Sequence, residues 1–119
     1  MAVSGGRNGS RAVVSFPEVT LGGYMAKHDR AAAFGGQDGA SYSVAILSSD
    51  EPDAKGRFGA ALLFVRWDEA GANPVGHVET DELAFGRTKE EAEERIASLS
   101  LYDVKAALDD AIRARPEGW

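Results

Sequence analysis

Along most of this chain apolar residues come singly or in short bursts, but Phe58 to Trp67, FGAALLFVRW, is apolar almost throughout. As an extended strand it points Phe58, Ala60, Leu62 and Phe64 one way and Ala61, Leu63, Val65 and Trp67 the other. A half-exposed antiparallel strand would alternate apolar with polar, so this one predicts cover on both faces. Two amphipathic helices near the C-terminus are the candidates for the first cover. The N-terminal segment or another protein is the candidate for the second.

Upstream, Arg11 to Leu21, RAVVSFPEVTL, is rich in β-branched residues and predicts a strand. Pro17 cannot donate to a ladder, so that strand lies at an edge or breaks there. Gly22-Gly23 punctuates. Tyr24 to Phe34 supports two readings. Its Met, Ala, Lys and Arg content favours a helix stopped by Gly35-Gly36. A hairpin turning through Gly35 to Gly39 into the strand at Tyr42 to Ser48 would instead pair part of Arg30 to Phe34 with Tyr42 to Leu47. The balance leans to the hairpin. Ser48 to Arg57 is a polar connection, Asp68 to Pro74 a turn cluster, and Val75 to Phe85 the next strand.

The period then changes. Thr88 with Glu91 three residues on forms a capping box, and the flanking glutamates suit the positive end of a helix dipole. Ala92, Ile96 and Leu99 share one face. A second box starts at Ser100 with Asp103, and Leu99 and Val104 are spaced as a hydrophobic staple. Leu101, Val104, Leu108, Ala111 and Ile112 form the apolar stripe of that second helix. Pro116 and Gly118 end it. The expectation is an α+β fold: an antiparallel sheet of four to five strands in a meander, with two C-terminal amphipathic helices packed on one face. Residues 1–10 read as a flexible tail and 11–119 as a single domain.

Composition narrows the function more than the fold. The chain has no cysteine, which removes disulfides, thiolate metal sites and cysteine nucleophiles. No run reaches a membrane span and the N-terminus lacks a signal-peptide core, so a cytoplasmic protein is expected. The formal charge of −6 lies wholly in residues 58–119, since the lysines and arginines of residues 1–57 balance their acids. Nucleic-acid binding rests on clustered Lys and Arg, so this distribution argues against it.

Candidate chemistry is sparse. His77, Glu79 and Asp81 would project from one side of a strand at spacing two, a geometry that can bring an imidazole and carboxylates together for acid–base work or a divalent metal. A polar, solvent-facing strand side explains the same pattern, and a bulge near Thr80 would separate it from the apolar residues of like parity. The glycine pairs lack any phosphate-loop context, and no serine sits in a nucleophile elbow. No cofactor is expected. Arg66-Trp67 has the composition of an interface hot spot, and Trp119 could dock onto the domain or a partner.

Gly86-Arg87-Thr88-Lys89-Glu90-Glu91-Ala92, following a strand, is similar to the strand-to-helix junction of HicB-like antitoxin domains, with Tyr42-Ser43-Val44 as a partial echo of their sheet. The likeness is confined to those residues; the Phe58–Trp67 strand stretches the spacing, and no C-terminal DNA-binding segment is recognisable. The functional expectation is therefore a non-enzymatic protein–protein interaction module, homodimeric or docking to a larger assembly in the manner of an immunity, antitoxin or adaptor protein. Phe58, Leu62, Phe64, Arg66, Trp67 and Trp119 are its expected interface. A small-ligand or metal-dependent site at His77, Glu79 and Asp81 is the alternative.

Overall fold

In the computed structural model the described residues are 19–28 and 31–115. They form α1 (Leu21–His28), β1 (Ala33–Gly35), β2 (Ser41–Ser48), β3 (Phe58–Trp67), β4 (Pro74–Glu79), β5 (Ala84–Gly86), α2 (Lys89–Ala97) and α3 (Leu101–Ala114). The strands make one antiparallel sheet in the order β1-β2-β3-β4, with β5 also paired to β3. The α+β class, the meander and the helical cover on one face agree with the expectation. No helix among the described residues is long and apolar enough to cross a membrane.

The long strand β3 is the spine. Its Ala60, Leu62 and Phe64 are wholly buried, and register places Tyr42 and Val44 of β2 and Val78 of β4 on the same face. Above them lie Leu21 of α1, Ala92 and Ile96 of α2, and Val104, Leu108 and Ile112 of α3, all in one cluster. Burying a large apolar side chain contributes about 1.5–3 kcal/mol, so this face is where the fold gains most of its stability.

Both predicted caps form. The Thr88 hydroxyl accepts the Glu91 N–H at 3.0 Å, and the Ser100 hydroxyl accepts the Asp103 N–H at 3.0 Å. The Glu91 carboxylate reaches back to the N–H of Arg87 (2.6 Å), one residue before the cap, and that bond holds its pKa below the usual range. Ser98 to Ser100 make the bend between the two helices.

Three local expectations are corrected. Of the strand expected over Arg11 to Leu21, residues up to Glu18 lie outside the described residues. The remainder is a single bridge between Thr20 and Ser100, after which Leu21 already begins a helix that runs through Gly22 and Gly23. Thr20 explains the start: its hydroxyl accepts the Gly23 N–H at 3.1 Å, an N-cap that offsets part of the cost of two helical glycines. Tyr24 to Phe34 divides between the two readings, with helix to His28 and a hairpin strand from Ala33 that pairs with Ser43.

The strand expected over Val75 to Phe85 is two strands. Leu63 pairs with Glu79 and Ala60 with Ala84, so β3 uses two residues, Ala61 and Leu62, where its partner uses four, Thr80 to Leu83. The excursion is pinned by Thr80 N–H to Leu62 O (3.0 Å), Leu62 N–H to the Thr80 hydroxyl (3.0 Å) and Leu83 N–H to Ala60 O (2.8 Å). Because the excess is even, Phe85 keeps the parity of His77.

Candidate functional site: the second face of the sheet

Opposite the helices the sheet carries a second set of side chains, aligned in rows by the register. Ala45, Leu63 and Glu79 make one row and Ser43, Val65 and His77 the next; Leu47 pairs with Ala61 and Ser41 with Trp67. Of these, only Ala61 is as little exposed as the core, and neither it nor Leu63, Val65 and Trp67 belongs to the core cluster. Leu47 and Val75 are 38% and 50% exposed. The result is an apolar stripe down β3, edged by small residues on β2 and by His77 and Glu79 on β4.

Trp67 closes one end of the stripe. Its indole N–H donates to the Ser43 hydroxyl at 2.9 Å, which draws the ring across β2. At the other end, a β-carbon on Gly59 would sit 2.2 Å from the Glu82 carboxylate, so that side chain lies directly on the backbone there. The Arg57 guanidinium stacks 4.2 Å from the centre of the Phe85 ring. Charged groups thus bound the apolar strip.

The structure distributes the expected interface residues over both faces. Leu62 and Phe64 are wholly buried under the helices, and Phe58 is half-buried on that side. No partner can reach Leu62 or Phe64 in the folded protein, which corrects their assignment as contact residues. Arg66 lies at the core-face end of β3, 3.6 Å from Asp38. Trp67 is on the second face, and Trp119 lies outside the described residues. Leu63, Val65, Leu47 and Val75 are the residues the sequence reading missed. The signal for them is in the neighbours: Tyr42-Ser43-Val44 on β2 and Val78 between His77 and Glu79 show which parity is apolar on all three strands.

His77 and Glu79 also project from this face, with Nε2 and Oε2 3.6 Å apart and both side chains more than half exposed. Asp81 is parted from His77 but not from Glu79. It falls in the excursion, where it and Glu79 line a shallow pocket of about 320 Å³ with Ala107, Asp110 and Ala111 of α3. Among the described residues no group of three or more histidines and carboxylates is placed to hold a metal ion.

A second cleft, of about 590 Å³, opens between the two hairpin loops beside Trp67, lined by Asp38, Arg66, Asp68, Glu69 and Val75. Its polar groups are engaged in holding the loops. Asp38 accepts the Tyr42 hydroxyl at 2.7 Å and the Ala40 N–H at 3.0 Å. Burial pushes the Asp38 carboxyl up, but those two bonds and the charge of Arg66 outweigh it and hold the pKa low. Burial, reinforced by Asp38, pushes the Tyr42 phenol up to about 12. A phenol held that high stays protonated at neutral pH and acts as a donor rather than a base. Asp68 accepts the Ala72 N–H at 2.9 Å and the Asn73 side-chain amide at 3.0 Å, which organises the β3–β4 turn.

Comparison with protein families, with curated proteins and with solved structures finds no match to this chain.

Proposed function

We propose that this protein is a non-enzymatic protein-interaction module that docks through the second face of its sheet. The observation that carries the reading is the stripe of Ala61, Leu63, Val65 and Trp67, which lies outside the core cluster on a face where the described elements place no second layer. A strand in the middle of a sheet with one solvated face normally carries polar residues on that face. An apolar centre with a polar and charged rim is instead the anatomy of an interface, and Trp is enriched among its energetic anchors. The geometry gives less support to the ligand-site alternative, because the pocket lined by Glu79 and Asp81 leaves out His77 and the three do not form one group. A chain without cysteine fits a cytoplasmic setting for this role.

The test is to tag the full chain, recover it from its host, and compare its complexes with those of Leu63→Asp and Trp67→Ala. Loss of a stoichiometric partner in both variants, with folding intact, is expected. Complexes that survive Leu63→Asp, or that vanish with His77→Ala alone, would overturn the reading.

A further inference from the structure

We propose that the occupant of this face is a second copy of the chain, docked face to face about a two-fold axis that crosses the strands over the Val44–Phe64–Val78 row. This rests on the reading of that face as a docking surface, and adds to it the partner and the register.

Val44 pairs with Phe64 and Phe64 with Val78, and all three side chains point into the core. The row therefore carries nothing on the second face, and along Ser41–Leu47 of β2 and Ala61–Trp67 of β3 the residues that do face outward fall evenly on either side of it; on β4 the pairing slips opposite Arg66 and Trp67, and Val75 there has no counterpart. One step away lie Leu63 and Val65 on β3, Glu79 and His77 on β4, and Ala45 and Ser43 on β2. Three steps away lie Ala61 and Trp67, and Leu47 and Ser41.

A two-fold axis perpendicular to the strands, midway between two facing sheets, exchanges the members of each pair. Leu63 then meets the partner's Val65, and Ala61, the smallest residue of the stripe, meets the partner's Trp67, the largest. His77 meets the partner's Glu79, twice per dimer. Facing sheets pack about 10 Å apart, a gap that interdigitating large and small side chains fill. Hydrogen bonding selects this axis over its rival. A two-fold axis along the strands would set Glu79 over the partner's Ala45, which offers its carboxylate no donor, whereas this axis sets it over the imidazole of the partner's His77. The resulting interface is isologous, with each contact made twice.

Its size marks it as a weak, reversible contact. Seven residues at about 3.4 Å and three strands about 4.8 Å apart give a planar face of roughly 24 by 14 Å. That is below the roughly 800 Å² that a standard interface buries per partner, which places this contact among weak, transient interfaces.

Charge variants at exposed positions test the register without touching the core. Sedimentation equilibrium over about 1–300 µM is expected to show the wild-type chain passing from monomer to dimer. His77→Glu sets carboxylate against carboxylate, and Glu79→Lys removes the acceptor opposite the imidazole; each alone should weaken self-association, the first by about tenfold and the second by less. Mixed one to one, the two variants should recover wild-type affinity as a heterodimer, because the opposed pairs become Glu with Lys and His with Glu. Circular dichroism controls for folding.

The alternatives separate cleanly. A wild-type chain that stays monomeric throughout overturns the second copy, and the docking reading then stands or falls on whether Leu63→Asp removes the complexes recovered from the host. A wild-type dimer with no response to either charge variant, and no gain on mixing, overturns the axis. In that case a monomeric Leu63→Asp keeps the face as the interface, and a dimeric one removes it.

Discussion

The two faces of β3 are built from one run of ten residues and are almost equally apolar, yet they have opposite fates. Ala60, Leu62 and Phe64 are sealed under three helices, whereas Leu63, Val65 and Trp67 lie outside the core cluster. The strand's own composition does not distinguish them. What distinguishes them is the neighbouring strands: Tyr42, Val44 and Val78 extend the first face sideways into a continuous apolar floor, while Ser43, His77 and Glu79 narrow the second to a stripe. A wide floor matches the stripes of α2 and α3. A narrow stripe with charged edges matches a surface that must also be stable in water.

The most forceful way to break this comparison is to truncate matched residues on the two faces. Phe64→Ala removes a wholly buried ring and should cost about 3–5 kcal/mol, read from the midpoint of urea unfolding. An unfolding midpoint close to wild type would mean that the helices do not seal that face. A second core-face test is alkaline. The Tyr42 phenol is raised from 10.0 to about 12, so the folded state holds its proton more tightly than the unfolded state. Its contribution, on the order of 2–3 kcal/mol, is fully present below pH 10 and is lost as pH rises through about 12. Tyr42→Phe should flatten the decline of stability over that window in pH-dependent melting.

Thr88→Ala acts one layer out. It removes the cap of α2, which covers β3 and β5, and should lower stability by about 1 kcal/mol in the same urea titration, with Thr88→Ser close to wild type. The smallest expected change is the most telling. Leu63→Ser should alter monomer stability by about 1 kcal/mol or less, measured at concentrations too low for association, while abolishing self-association in sedimentation. A loss as large as that of Phe64→Ala would show that Leu63 belongs to the core and that the two faces are equivalent.

Much of this was legible from residue order alone, and the exceptions have physical causes. The capped helices were readable because Thr88 and Ser100 announce themselves locally, within three residues of the N–H groups they satisfy. The two-faced strand was readable because an unbroken apolar run has few other uses. The direction of each face was not, since it depends on which helix stripe meets which parity, a non-local choice. Leu62 and Phe64 were therefore expected at an interface they cannot reach. The helix over Leu21 to His28 was hidden by Gly22-Gly23, whose poor propensity is overridden by the Thr20 cap and by Leu21 in the core. The His77–Glu79–Asp81 trio assumed one straight strand, and the excursion at Thr80 carries Asp81 away from His77.

That excursion also determines which changes of length the chain tolerates. Beyond it, Gly86 faces the start of α2, where a β-carbon would come within 2.7 Å of the Ala92 backbone nitrogen, and Phe85 faces the opposite way. Inserting or deleting two residues between Thr80 and Leu83 leaves that arrangement intact. A one-residue slip in the register of β5 would instead turn it over and drive Phe85 or Arg87 into a gap sized for a hydrogen atom, so a change of length has to be absorbed within the excursion. The excursion is thus a buffer: Thr80 and Leu83 are tied to β3 at its two ends, and what happens between them need not reach the contact of Gly86 with α2.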